Sequence, residues 1–251
     1  MKKALTVALL TLASTAAMAQ VNIQAHYDFG RKAYPDAEAT RQNMTVTFEQ
    51  FRPDRLGNIF YFIDLDFYAK GMKGAYMEFS REFNIGKKGF AVHGEYNGGM
   101  TTGKNLANHW EDSQFQHALL LGPAYNGHNS DYSFTWSVQV LYKQYFKGLN
   151  HSAFPSLQLT GVWGWTFGNE DMFTFSGYID FWRNPKPTTG SYAVTIQTEP
   201  QLWFNMNSVT KKKTNLSIGT EWELSNNFIF PESGTKTFYL NPTLGLKWTM
   251  K

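Results

Sequence analysis

Glu49, Asp64, Asp66, Glu78, Glu82, Glu95, Asp180 and Glu199 all stand at alternate positions of runs whose other positions are mostly apolar, and Phe62, Tyr68, His93 and Trp203 share their parity. In an extended chain successive side chains point to opposite faces, so this spacing puts carboxylates, amides and rings together on one face. Carboxylates accept hydrogens from hydroxyl and amine groups, and rings stack on flat heterocycles. The chemistry this predicts is reversible contact with a small polar solute that carries an aromatic base, or weak selectivity for cations in a pore. A structural use competes with it, since the same carboxylates could pair with Lys143, Lys247 or water to fill the interior.

Other chemistry is poorly supplied. His93-Gly94-Glu95 places both side chains on one strand face, and Glu78 or Glu82 could complete an oxygen-rich metal site, but a histidine in a hydrogen-bond network is the commoner use of such a pattern. His109, His117 and His151 lack partners at ligand spacing, so no metal and no cofactor is expected. There is no cysteine, hence no thiol nucleophile and no disulfide, and no glycine loop of phosphate-binding type. Lys211-Lys212-Lys213 reads as a solvated turn.

The elements that must position these residues are strands. From Tyr132 to Val140 the order YSFTWSVQV puts Tyr132, Phe134, Trp136, Val138 and Val140 on one face and Ser133, Thr135, Ser137 and Gln139 on the other; MTVTF from Met44 to Phe48 alternates likewise. Similar runs near 20–30, 59–69, 75–85, 90–97, 115–124, 157–167, 172–182, 192–205, 214–224 and 237–249 bring the expectation to twelve strands. Most exceed the usual globular strand of about 5–6 residues and reach the ~9–11 that cross a bilayer at a tilt. Aromatic residues make up 17% of the 251-residue chain, yet mean hydropathy is −0.40. A transmembrane β-barrel joins these two properties, because only alternate residues face lipid. In Trp163-Gly164-Trp165 with Phe167 the rings share one face, read as the outward one. Rings near strand ends, Tyr142, Tyr145, Phe146, Phe181, Trp182, Trp203 and Phe204, are expected in interfacial girdles. The fold class is therefore all-β, a transmembrane antiparallel up-and-down barrel of about twelve strands.

Residues 1–19, MKKALTVALLTLASTAAMA, read as a cleavable export signal, with two lysines, an apolar run and Ala17-Met18-Ala19 ahead of Gln20; the barrel is then 20–251. The formal net charge of +3 falls to about +1 once Lys2 and Lys3 leave, too little for a nucleic-acid partner. The connections alternate in length as bacterial barrels require. Short turns are expected at 53–58, 86–89, 126–130, 168–171 and 207–213 on the periplasmic side. Outer loops are expected at 31–40, 70–73, 98–113, 147–153, 184–190 and 226–236. The short 70–73 connection is out of pattern, and 98–113 is the longest stretch without strand signal and the candidate for folding inward. Alternation places Arg81 outside, which suits only an interfacial position.

Between Met44 and Ile85 the chain runs MTVTFEQFRPDRLGNIFYFIDLDFYAKGMKGAYMEFSREFNI. A strand carrying Glu49, a polar turn, an aromatic strand reaching Asp64, and a strand of Met77, Glu78, Phe79, Arg81, Phe83 and Ile85 follow in order. This series resembles the Tsx-like nucleoside-specific channels of the outer membrane. The resemblance implies a monomeric twelve-stranded barrel with a narrow polar channel that passes nucleosides.

The expected function is passive diffusion of a small polar solute across the bacterial outer membrane. Its partners would be membrane lipid, the solute and the barrel-assembly machinery, although the chain ends Leu246-Lys247-Trp248-Thr249-Met250-Lys251 without the terminal ring often used as an assembly signal. One alternative is an outer-membrane enzyme acting on lipid. His128-Asn129-Ser130 resembles the His-x-Ser of outer-membrane phospholipase A, but Asn126-Gly127 marks a tight turn there, on the periplasmic side. The other is a plugged or soluble exported barrel that binds a ligand without conducting.

Overall fold

A computed structural model describes residues 20–38, 41–69, 71–104, 110–148, 152–185, 191–210, 212–229 and 237–250, with the side chains of 102–104 and 110–115 excepted. The stretch read as an export signal lies outside these residues.

The chain forms one antiparallel sheet closed on itself. Its first half contains β1 (Gln20–Asp28), a one-turn helix α1 (Gly30–Ala33), β2 (Met44–Asp54), β3 (Gly57–Tyr68), β4 (Gly71–Asn84), β5 (Phe90–Lys104) and β6 (Trp110–His128). The second half contains β7 (Phe134–Tyr145), β8 (Phe154–Phe167), β9 (Phe173–Pro185), β10 (Tyr192–Thr198), β11 (Gln201–Asn205), a short helix α2 (Asn207–Thr210), β12 (Leu216–Asn226) and β13 (Phe238–Met250). Apart from β10 and β11, which do not pair with each other, each strand pairs with its sequence neighbours, and β13 returns to β1, with Ile23 opposite Trp248 and Ala25 opposite Leu246. Closure leaves no edge, so the sheet's backbone polar groups are satisfied within the wall, as a bilayer demands.

β10 and β11 are one wall strand interrupted at Glu199-Pro200: both pair with β9 on one side and β12 on the other. Proline has no N–H to give to a ladder, which is why the pairing lapses there. The barrel therefore has twelve strands, and the interrupted pair is the single run read at 192–205.

The outer wall is apolar and open to its surroundings. Leu157 is 67% exposed, Leu121 60% and Leu246 58%, values that no aqueous core would leave on three separate strands. Arg81 shares that outward face. It sits at the short-turn end, where its Nη1 and Nη2 donate to Asp54 at 2.6 and 3.0 Å and its guanidinium lies 4.8 Å from the Phe83 ring centroid. Pairing at the rim is what makes an outward arginine tolerable.

Two expectations are corrected. The stretch 98–113 is not structureless: β5 and β6 continue their ladder through Gly99 opposite Phe115 and on to Lys104 opposite Trp110, after a register shift between Asn97 and Gly99. Backbone pairing needs no side-chain alternation, and the glycines at 98, 99 and 103 hid the strand from pattern reading. Nor do all rings near strand ends face lipid. Tyr145, Trp182 and Trp203 are on the inner face and buried, at 9%, 7% and 0% exposure. A chain position near a strand end fixes height in the wall but not side, and parity puts these three inside.

A carboxylate-lined lumen as the candidate site

Register fixes which residues face inward. Asn22, Gln24 and His26 of β1 stand opposite Glu49, Thr47 and Thr45 of β2, which stand opposite Phe62, Asp64 and Asp66 of β3. Tyr76 and Glu78 of β4 then face Asp64 and Phe62, and Glu82, His93 and Glu95 continue the row onto β5. On the far wall Tyr178 and Asp180 of β9 share the inner face with Gln197, Glu199 and Gln201, and Glu221 and Glu223 of β12 complete the circuit.

Neutral donors hold most of these carboxylates. Thr47 Oγ1 donates to Asp64 at 2.6 Å, Thr45 Oγ1 to Asp66 at 2.7 Å, Asn22 Nδ2 to Glu49 at 2.8 Å, and Tyr76 Oη to Glu78 at 2.7 Å. Thr160 Oγ1 donates to Asp180 at 2.5 Å, and Gln197 Nε2 to Glu199 at 3.1 Å. The cations of the same face, Lys143 and Lys247, stand over the rings of Tyr145, Trp182 and Trp203, so the hydrogen bonds to these six carboxylates come from hydroxyls and amides. Asp64, Glu49, Phe62, Glu78, Glu95, Asp180 and Glu199 are only partly buried, so their inner faces remain accessible.

Beside these carboxylates runs a ladder of rings. Phe60 and Phe62 are 6.1 Å apart between centroids, and Phe62 and Tyr76 6.0 Å. All three are half-buried on the inner face.

Other inward residues are packing. Glu82 is held by His93 Nδ1 at 3.1 Å, by Asn126 Nδ2 at 2.8 Å and by Asn58 Nδ2 at 3.0 Å, while His93 Nε2 is 3.0 Å from Glu95. Glu82 and His93 are each 3% exposed. Trp203 lies fully buried over Gly219 and Gly245, with Lys247 Nζ 4.2 Å from its ring centroid and the His26 ring edge-on at 5.5 Å. A second plug packs Leu120, Leu141, Tyr145 and Trp182 around Lys143, whose Nζ donates to Gln158 at 2.8 Å and lies 5.0 Å from both rings.

The connection from Phe29 to Asn43, which carries α1, folds over the mouth at the long-loop end. Phe29 N donates to Pro242 O, and Leu240 N to Tyr34 Oη. Arg41 then drops into the barrel: its Nε donates to Asp28 at 2.9 Å and its Nη2 to Glu223 at 2.8 Å, with Glu38 at 3.7 Å. Asn241 Nδ2 donates to Glu38 at 2.9 Å. Burial would lower the Arg41 pKa, but Glu223, Asp28 and Glu38 outweigh it and hold the proton more tightly than usual. Burial raises the Glu38 carboxyl above its ordinary 4.5, and Arg41 and Asn241 offset part of that. Among the described residues, then, the connection that folds inward carries Glu38 and Arg41; the tip of the stretch 98–113, at 105–109, lies outside the described residues.

Of the sequence-predicted site residues, the structure brings Glu49, Phe62, Asp64, Asp66, Glu78, Glu95, Asp180 and Glu199 to the accessible lumen. Glu82, His93 and Trp203 face inward but are sealed beneath neighbours, so they do not present themselves to a solute; size and hydrogen-bond capacity made them good filling. Tyr68 stands at the rim, where it lines a cleft on the outer wall with Tyr27, Met44 and Phe67. Sequence reasoning missed Arg41, Asp28 and Glu38, because the partner that completes the set, Glu223, is 182 residues away from Arg41. His128 ends β6 and is stacked on Tyr132 at 3.9 Å, with its Nδ1 on Asn129 O at 2.7 Å; Asn126 and Gly127 pair with Ser137 and Trp136, so the tight turn expected at Asn126-Gly127 comes only after His128.

Residues 19–250 match a protein family described as Domain of unknown function (DUF5020). The chain belongs to that family. No curated protein matches it. Among solved structures this DUF5020 barrel is similar to the NanC porin, with 7% identity and a TM-score of 0.56 over 92% of this chain and 100% of that one. It is also similar to the KdgM porin, with 9% identity and a TM-score of 0.48 over 92% and 99%. LpxR from Salmonella typhimurium aligns with 9% identity and a TM-score of 0.48 over 91% and 99%. At such identities the NanC likeness establishes the fold of the DUF5020 chain, and its function must be argued from the lumen.

Proposed function

We propose that this barrel is an outer-membrane channel for passive diffusion of small polar solutes, and that nucleosides are the solute class its lumen fits. The observation that carries the reading is the half-buried ladder Phe60, Phe62 and Tyr76 lying beside Glu49, Asp64 and Glu78. A flat base slides along rings at little desolvation cost, while ribose hydroxyls donate to carboxylates whose hydrogen-bond donors are neutral amides and hydroxyls. An anionic solute would meet the same carboxylates as repulsion, so neutral and cationic solutes are favoured. The plugs around Trp203 and Leu141 take up part of the cross-section, which argues for a narrow passage and against a general diffusion pore.

The test is single-channel recording of the refolded protein in a planar bilayer, with nucleosides, sugars and amino acids added in turn. Small unitary openings blocked by nucleosides, with the block weakened by Phe62→Ala or Asp64→Asn, support the proposal. A barrel that inserts and shows heat-modifiable migration but never conducts would sink it and leave a binding or lipid-modifying barrel as the reading.

A further inference from the structure

The cleft at the rim lies outside the lumen and has no part in conduction. It is a shallow, open depression of about 360 Å³ on the outer wall at the long-loop end, lined by Tyr27, Asn43, Met44, Phe67, Tyr68 and Ala69. Tyr27, Met44 and Phe67 belong to the outward face, since Tyr27 pairs with Met44 and Met44 with Phe67 across β1, β2 and β3. Tyr27 and Met44 are 40% and 39% exposed.

Two cations of α1 stand at this cleft. Lys32 Nζ lies 5.1 Å from the Tyr27 ring centroid and 5.5 Å from that of Phe29. Arg31 Nη1 donates to Asn43 Oδ1 at 3.1 Å. Among the described residues neither is ion-paired, whereas Arg41 of the same connection is paired with three carboxylates. The strands end here, so the height is that of lipid headgroups above an acyl layer.

We propose that this cleft is a docking site for a lipid whose headgroup carries phosphate monoesters. One acyl chain lies against Tyr27, Met44 and Phe67, and the phosphate is held by Arg31 and Lys32. Charge complementarity decides the occupant. Two unpaired cations at the headgroup level of an apolar cleft select an anionic lipid over a zwitterionic one, and the guanidinium's fork matches phosphate oxygens. The proposal needs the barrel to sit in a membrane but is independent of whether it conducts.

The experiment is native mass spectrometry of the full barrel released from non-ionic detergent, titrated with bis-phosphorylated lipid A, the same lipid dephosphorylated, and phosphatidylcholine. The expected result is one retained bis-phosphorylated lipid per barrel, with retention falling about tenfold on dephosphorylation and by a similar factor in Arg31→Gln/Lys32→Gln. Ala69→Trp, which fills the cleft and leaves both cations in place, is expected to abolish retention. Equal retention of the dephosphorylated lipid overturns the proposal. So does an equal loss from Lys87→Gln/Lys88→Gln, a basic pair at the opposite end of the barrel.

Discussion

Arg41 Nη2 donates to Glu223 Oε2 at 2.8 Å, and this contact ties the connection between β1 and β2 to the wall strand β12 across the mouth of the barrel. The same guanidinium serves Asp28 and Glu38, whose side chains are 4% and 2% exposed. Removing the cation leaves the buried carboxylates without their counter-charge, a change that costs about 3–5 kcal/mol in comparable sites. Arg41→Ala is therefore expected to release the connection rather than unfold the barrel, whose strand ladder does not depend on it. Faster protease cleavage between residues 29 and 43, with unchanged heat-modifiable migration, is the expected result. An intact connection in the variant would show that the backbone bonds from Phe29 and Leu240 hold it unaided.

Acidity should tighten this latch. A carboxyl whose pKa is raised on seating contributes stability that is fully present below its unfolded value and is lost as pH rises through its seated value. Glu38 is such a group, raised above 4.5 by burial. Asp28, Glu223 and Arg41 surround it, with Tyr34 and Tyr239 stacked edge-on nearby at 5.1 Å. Labelling of a cysteine introduced at exposed Asp36, taken relative to free cysteine at the same pH so that thiolate ionisation cancels, is expected to be slower at about pH 5 than at about pH 8, and Glu38→Gln is expected to flatten the difference. Labelling that accelerates on acidification would mean that Arg41 loses its acceptors before Glu38 gains from neutrality.

The alternation in FTWSVQV or MTVTF suffices to predict both strand and face, because period two is a property of backbone geometry that any sequence in a wall must obey, whereas Tyr132 and Ser133, read as the start of the same strand, belong to the turn before it. Parity likewise identified Asp64, Glu78 and Asp180 as inward. Parity carries no information on depth, so it could not distinguish accessible Asp64 from sealed Glu82 and His93; that difference depends on Asn58 and Asn126 of other strands. The Arg41 latch was invisible for a related reason, since three carboxylates converge on it from β1, the connection itself and β12.

The outward face should reject charge according to depth. Leu159 is 45% exposed in the β7–β8 wall opposite Val140. Leu159→Arg is expected to destabilise the barrel by about 2–4 kcal/mol in a bilayer, whereas Leu56→Arg, in the turn between β2 and β3, is expected to cost about 0–1. Equilibrium urea unfolding in liposomes measures both. Equal costs at the two positions would remove the assignment of this face to lipid.

Trp203 gains its seat from two glycines. A Cβ on Gly219 would fall 2.5 Å from the Trp203 ring and closer still to Leu202 O, and one on Gly245 would fall 3.0 Å from the same ring. Glycine in a strand interior normally weakens it, but here the missing side chains leave the space the indole fills. Gly219→Ala is expected to cost about 1–3 kcal/mol through overpacking. In a Trp203→Phe background the smaller ring relieves part of the clash, so the same substitution should cost less, and the difference between the two costs isolates the ring contact. An undiminished cost would assign the whole effect to the backbone contact with Leu202, and the indole would then be a passenger in the lumen rather than the reason for its glycines.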